Sequence, residues 1–317
     1  MIEPAGTWYV ILAALGLDLI LGDPRWLPHP VRLMGLAAER GEMFFRGLVK
    51  NQFTAGLAFA AVLILGAFFL TAGAVFLAGL LHPAAAVILE ILLIYTCISP
   101  KCLYKEAVKV HAALVTGDPE KARELVAMLV SRDTDQMNEE QISRAAVETV
   151  AENFVDGVVS PVFFAVLLGA PGAVAFKMIS TLDSMVGYRT EKYEKFGKAS
   201  ARADDAANWI PARLSVPVIS LAAALLYKTG RRAFATALAE GKHHKSPNAG
   251  YPEAAFAGAL GIRLIGPGVY NGKLIEKPWI GAGFPLPGRK HIISAARLML
   301  ASTVIAALAS TACLWML

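Results

Sequence analysis

Long apolar runs divided by short polar or proline-rich breaks set the rhythm of this chain. From Phe53 to Leu81 the sequence is almost unbroken apolar, and after His82-Pro83 a second run extends from Ala84 to Ile98. Runs of this length read as membrane-crossing helices, and the minimal break between them predicts a hairpin. Ile292 to Met316 is the clearest single span. Trp8 to Leu21 falls short of the ~20 residues a crossing needs and contains Asp18. It reads as a retained, tilted or partly inserted first span, not a removable signal. Two further apolar stretches are interrupted, Val155–Ile179 by Pro161, Gly169, Pro171 and Gly172, and Leu214–Tyr227 by Pro217. They are expected to be re-entrant or protein-buried, because broken backbone at membrane depth needs protein or water to cover it. The pattern therefore predicts four full spans, near 8–22, 53–81, 84–100 and 292–316, with both termini outside.

The polar segments differ in kind. Ser99 to Ala151 has a helical period, and TGDPEKARE predicts an N-cap at Asp118 with a helix from Pro119. A further helix is expected near Asn138, with Glu139 and Glu140 in its first turn. Arg132 and Asp133 read as ordinary surface charges. Residues 228–290 are basic and rich in glycine and proline. The fold class is all-α: a polytopic α-helical integral membrane protein with broken or re-entrant helices and cytoplasmic helical loops. One membrane-embedded domain over 1–317 is expected, with a cytoplasmic helical subdomain at about 99–151, a motif-rich region at 152–213 and the basic loop at 228–290.

Composition agrees: of 317 residues, 56% are hydrophobic and only 17% charged, too apolar for an ordinary soluble enzyme. The net charge of +5 does not point to nucleic acid, because the basic residues are spread over several loops without interleaved stacking aromatics. Lys and Arg flank the hairpin and are absent from its turn, which places those flanks in the cytoplasm. Cys97, Cys102 and Cys313 form no CxxC pattern and read as packing residues.

Ionisable residues inside apolar sequence carry the candidate chemistry. Read as one helix, Glu148, Glu152, Asp156 and Ser160 fall at successive i, i+4 positions, so three carboxylates share a face and call for a cation. Lys177, Arg189, Arg202 and Arg213 are the local candidates, with an oxygen-ligated divalent metal as the other. Glu152, Asp156, Lys177 and Asp183 would together cost roughly 10 kcal/mol if all faced lipid, so they are expected to face a cavity. Asn153, Asn208 and Asn248 accompany them. Asp204-Asp205 reads as a metal or base element, or as an acidic N-cap. Ser246 to Gly250 reads as a turn whose backbone amides could form an anion nest. The His243-His244 pair reads as part of a basic loop, and Asp23, Arg25, His29 and Arg32 cluster in the proline-rich break. There is no GxxxxGK[ST], HExxH or GxSxG.

ENFVDGVVSP, STLDSMVGYRTEKYEKFG, SARADDAANWIPARL and HKSPNAGYPEAAFAGAL with GVYNG, together with the early LGDP and PHPVRLMG, span nearly the whole chain in order. In these motifs the sequence resembles the adenosylcobinamide-phosphate synthase family of cobalamin biosynthesis, known as CobD or CbiB. The resemblance implies a multi-pass enzyme of the cell membrane, and the Lys and Arg distribution places its active-site loops in the cytoplasm. It would join a corrinoid, adenosylcobyric acid, to aminopropanol or aminopropanol phosphate, using ATP and Mg2+. It also implies Glu152, Asp156, Asp183, Asp204 and Asp205 as magnesium ligands or bases, and Lys177, Arg189, Arg202 and Arg213 as phosphate or carboxylate clamps. Ser246, Asn248 and Gly250 would cradle a second phosphate, Asn153 and Asn208 would assist, and His29 and His244 would orient substrate. A secondary transporter and a non-enzymatic membrane sensor are the rival readings. The first lacks a repeated pair of interrupted helices, and the second would be expected to lose several carboxylates at once.

Overall fold

The structure, a computed structural model, describes residues 8–24, 30–188 and 190–316. In chain order its helices are α1 (Trp8–Leu21), α2 (Pro30–Leu48), α3 (Gln52–Leu81), α4 (Pro83–Cys97), α5 (Pro100–Val115), α6 (Pro119–Ala127) and α7 (Glu139–Phe154). A π-helical segment, Val155–Val159, leads into α8 (Ser160–Val186) and α9 (Lys198–Ala207). Then follow α10 (Trp209–Tyr227), α11 (Gly230–Glu240), α12 (Gly250–Leu260) and α13 (Lys290–Met316). Between α12 and α13 lie four short strands, β1 (Leu264–Ile265), β2 (Gly268–Tyr270), β3 (Lys273–Ile275) and β4 (Trp279–Ile280), paired antiparallel as β1 with β4 and β2 with β3. The protein is thus helical, with sheet confined to two small ladders among the described residues.

Five segments are long and apolar enough to cross a membrane: Gln52–Leu81, Pro83–Val115, Glu139–Val186, Lys198–Tyr227 and Lys290–Met316. By length and composition this is two more than the three expected beyond the short α1, because the two interrupted stretches also qualify. They are unlike α3, however. Only 11% of the apolar window of α3 is buried in protein, against 61% for Glu139–Val186, so α3 offers its side chains outward and the interrupted segment is covered.

The chain divides into two compact units. The first draws on the described residues of 1–99, 156–208 and 307–317, the second on 100–155 and 209–306.

Within the first unit, His82 makes the α3–α4 hairpin: it ends α3, and its Nδ1 accepts the Ala84 N–H at 3.1 Å, with Pro83 opening α4. With 15 residues against 30, α4 runs back along only about half of α3. At its end the Ser99 N–H donates to the Gly157 carbonyl at 3.0 Å, just before α8 begins. The segment after α8 packs near the start of α3: Phe196 is buried against Phe59, and Arg46 of α2 donates to Gln52 at 2.6 Å and to the Lys192 carbonyl at 2.9 Å. Both places lie on the side of Glu90 away from His82, yet α8 reaches Glu90 between them, so α8 is not straight. It turns back at Gly169, whose φ of 66° and ψ of −160° are non-helical and open to glycine alone without strain. Glu90, midway along α4, accepts the Ala170 N–H freed by that break. A carboxylate in this apolar helix satisfies backbone that lipid could not.

In the second unit, α6 and α7 begin where the sequence indicates. Asp118 accepts the Lys121 N–H at 2.9 Å, and Asn138 and Gln141 form a reciprocal capping box. From Ile142 to Ala151, α7 is buried on all sides. Arg144 and Glu148 within that stretch are consequently internal charges.

Candidate functional site

In the first unit the acidic residues gather around one amide. Asn208, buried just beyond α9, donates from Nδ2 to Asp204 Oδ2 at 3.0 Å and also hydrogen-bonds Asp156, while its Oδ1 accepts the Ser160 hydroxyl at 2.5 Å. Lys177 on α8 is the cation whose field reaches Asp156, and Asp183 lies within electrostatic range of Asp156, Asp204 and Asp205. Four carboxylates thus outnumber the lysine, and mutual repulsion makes the cluster a place for an added cation. Asp204 and Asp205 occupy the last turn of α9, so the N-cap alternative does not hold. A helix C-terminus repels carboxylates, and the Asp204 hydrogen bond to Asn208 is what offsets it. Arg202 is exposed on α9.

The expected stripe of Glu148, Glu152, Asp156 and Ser160 does not run through. Its α-helical count ends at Phe154, because Val155–Val159 is π-helical and shifts the phase. Asp156 belongs to the first unit, and Glu148 and Glu152 to the second. Glu152 and Asn153 are exposed, Asn153 donating to the Thr149 carbonyl. Among the described residues no three Asp, Glu, His or Cys side chains converge as a preformed metal cage. Magnesium does not require one, since it keeps waters and uses one or two carboxylates together with phosphate oxygens. The Asp156–Asp204 pair has donors suited to that mode.

In the second unit a cavity of about 250 Å³ is lined by residues that include Arg132, Glu148, Glu152, His244, Glu253, Tyr270 and Lys277. Its floor is an ion-pair network. Glu148 binds Arg132, lies 3.6 Å from Arg144 Nε, and accepts the Ile265 N–H at 2.6 Å. Arg144 donates to the Pro267 carbonyl at 2.7 Å and lies 5.0 Å from the Trp279 ring centroid. Removing one member of such a buried pair costs about 3–5 kcal/mol. Together these contacts hold Ile265 at φ 65°, a conformation β-branched residues avoid and one that gathers at functional sites.

Arg132 is not the surface charge expected, and Asp133, although exposed, is structurally engaged. Arg132 is paired with Glu148, and Asp133 accepts the N–H groups of Asn271 and Gly272 at 3.1 and 2.7 Å. Those amides lie in the turn of the β2–β3 hairpin, where both residues have positive φ, as an Asn-Gly turn of this type requires. Sequence reasoning missed Glu253, Tyr270 and Lys277, took Arg132 for a surface charge, and placed Glu148 in the acidic stripe without its arginine partners. The GVYNG motif was the available signal, since it marks the hairpin carrying Tyr270.

The Ser246–Gly250 turn places its amides differently from the nest foreseen. The Ser246 N–H goes to His244 Nδ1 at 3.0 Å, and the Asn248 and Ala249 N–H groups go to Ser246 Oγ at 3.2 and 3.3 Å. These donors are spent within the turn, so any anion contact there falls to side chains. Gly250 is needed for packing: a Cβ would sit 2.1 Å from the Gly241 carbonyl oxygen. Asn248 is buried and lies 3.5 Å from Arg213, whose guanidinium is 4.1 and 4.5 Å from the Trp209 and Tyr251 rings. His29 and Arg189 lie outside the described residues.

Burial, with Lys277 second, lowers the proton affinity of His244 and keeps the ring neutral. Burial, followed by the fields of Glu152 and Glu148, raises Glu253 well above the ordinary carboxyl range. Glu253 is 2% exposed, and its Oε2 has no hydrogen-bond partner among the described residues.

A family model described as CobD/Cbib protein matches residues 11–299. The chain is 49% identical over 276 residues to cobalamin biosynthesis protein CobD of Geobacter metallireducens, covering 86% of each. It is 42% identical to the protein of that name from Desulfotalea psychrophila, covering 94% of this chain and 95% of the relative. The corresponding protein of Pelobacter propionicus is also 42% identical, with coverage of 98% and 96%. No solved structure matches.

Proposed function

The chain belongs to the CobD/CbiB family of cobalamin biosynthesis, and from that premise we propose that it is an ATP-dependent ligase joining adenosylcobyric acid to aminopropanol or aminopropanol phosphate. A carboxylate resists attack by an amine because its charge repels nucleophiles and oxide is a poor leaving group. Activation as an acyl phosphate, with ATP as the donor, removes both obstacles.

The observation that carries this reading is the Asn208-bridged pair of Asp156 and Asp204, with Lys177 on the neighbouring helix. Phosphoryl transfer is catalysed by positioning and charge stabilisation, and this cluster offers oxygen donors and a cation together. Asp156 and Asp204 would hold magnesium, with Asp183 and Asp205 setting the negative field around it. Bound there, the metal would offset charge on the phosphates. Lys177 stabilises charge on the transferred group, and Asn208 fixes the carboxylates so that they do not reorganise during reaction. In the second unit, Arg213 between its two aromatic rings presents a guanidinium oriented for a carboxylate or phosphate.

The test is ATP consumption by the purified protein in lipid nanodiscs, with the corrinoid acid and the amine added singly and together. ATP loss and amide formation that require both substrates are expected. Amine- and corrinoid-independent hydrolysis, or amide formation without ATP, would overturn the proposal.

A further inference from the structure

The cavity of the second unit combines features that the ion-pair floor does not explain. Glu253 on α12 is buried, yet its Oε2 has no hydrogen-bond partner among the described residues. The nearest basic nitrogen is His244 Nε2 at 4.0 Å, too far for a direct bond. Because His244 Nδ1 accepts the Ser246 N–H, the proton of the neutral ring resides on Nε2. A donor and a charge-seeking acceptor therefore line the same space with a gap between them. Lys277, which donates to the Tyr270 hydroxyl at 2.6 Å, and Arg132 add positive charge at the cavity wall, while Glu152 and Glu148 add negative charge.

Size narrows the occupant. At roughly 30 Å³ per water-sized group, the cavity takes about eight non-hydrogen atoms. A nucleoside triphosphate or a corrin ring is several times larger. Of the three substrates in the reading above, on which this inference rests, the small amine alone fits inside whole.

We propose that this cavity is the amine subsite, holding a short amino alcohol with its ammonium on Glu253 Oε2, its oxygen on His244 Nε2–H, and any phosphate on that oxygen facing Lys277 and Arg132. The 4.0 Å separation suits a molecule that presents a donor nitrogen and an acceptor oxygen on adjacent carbons. Glu253 also prepares the nucleophile. One N–H bond of the ammonium breaks and its proton passes to Oε2, leaving a neutral amine with a free lone pair and a neutral carboxylic acid. The raised proton affinity of Glu253, caused by burial and then by Glu152 and Glu148, brings the acid closer to the amine and makes that transfer less uphill.

The proposal is tested by calorimetric titration of the full chain in nanodiscs with aminopropanol, with aminopropanol phosphate and with inorganic phosphate, without ATP or corrinoid. Glu253→Gln is expected to weaken both amines at least tenfold. Lys277→Gln should weaken the phosphorylated amine at least fivefold and leave the free amine within twofold. Unchanged amine affinity in Glu253→Gln overturns the proposal, as does inorganic phosphate binding as tightly as aminopropanol phosphate. Should Glu253→Gln not fold, the His244 ring resonances of the wild-type protein decide: they should shift on adding either amine, and an absent shift overturns the assignment. Failure of the ligase reading looks different. A wild-type protein that binds amines here but forms no amide with ATP and the corrinoid acid would sink the ligase reading and leave the amine subsite standing. Wild-type amide synthesis by both variants would do the reverse.

Discussion

Asn208 sets the geometry of the acidic cluster because one buried amide serves Asp156 and Asp204 while Ser160 fixes its oxygen. Asp156→Asn keeps the shape but removes the charge. If Asp156 stabilises charge at the transferred group, turnover should fall by about 10²-fold, with expression and detergent-extracted stability near wild type. Equal loss of folded protein and activity would place Asp156 in a structural role instead. Glu253 permits a second measurement. Its folded-state pKa is raised well above the ordinary 4.5, so between those values the folded protein binds more protons than the unfolded chain. Stability from this group is then fully present below about pH 4.5 and is lost as pH rises toward the folded value. Glu253→Gln carries no such proton. The melting temperature of the variant relative to wild type should therefore climb from pH 5 to pH 8, and a pH-independent difference would show that Glu253 ionises as an exposed carboxyl does. Residues like these were only partly legible in the sequence. Asp156 stood out because charge in apolar sequence is costly wherever it folds, and Asp204 because it forms a tandem pair with Asp205. Arg132 and Glu253 did not, because Arg132 finds Glu148 16 positions on and the fields acting on Glu253 come from Glu152 and Glu148, far earlier in the chain.

Caps were legible at the level of elements because they are local. Asp118 and Asn138 declare α6 and α7 through side chains that bond amides three residues on. The π-helical segment was not legible, since the lone Gly157 in VDGVV is tolerated within a helix and does not specify a π turn. Close approach between elements was hidden too. Gly56 of α3 lies so near the segment after α8 that a Cβ would sit 1.8 Å from the Phe196 carbonyl oxygen. That oxygen is backbone, so it cannot rotate away. Gly56→Ala should force α3 outward and destabilise the protein by about 1–3 kcal/mol. Gly79, in the same helix, is the control. A Cβ there would meet the Ala86 Cβ at 3.7 Å, an ordinary contact, so Gly79→Ala should unfold close to wild type in a thermal denaturation of the two variants side by side. Equal melting temperatures for both variants would mean that α3 is free to move against the Phe196 segment.

Membrane topology is where the whole molecule decides between composition and geometry. By hydropathy Glu139–Val186 could cross the bilayer, and the basic segment after it, with Lys192 and Lys195, would then lie opposite the basic flanks of the α3–α4 hairpin. Such a placement runs against the positive-inside bias. Contacts in the first unit remove the conflict. The start of α8 is tied to Ser99, and the segment after it is tied to Arg46 and Gly56, both on the side of Glu90 away from His82. From Ser160 to Leu168 the first limb of α8 rises about 13 Å at ~1.5 Å per residue. Glu90 lies about 12 Å from Ile98 along α4 on the same count, so the Gly169 break meets Glu90 near mid-depth. A helix that enters, turns there and leaves by the side it entered satisfies both the contacts and the charge rule. Single-cysteine labelling with an impermeant reagent tests this in intact cells and inverted vesicles, with Cys97, Cys102 and Cys313 replaced. Lys50→Cys and Lys195→Cys, both at exposed positions, should label from the cytoplasmic side, and His82→Cys from the other. If Lys195→Cys labels together with His82→Cys, α8 crosses, and the Arg46 contact to the Lys192 carbonyl does not exist in the membrane.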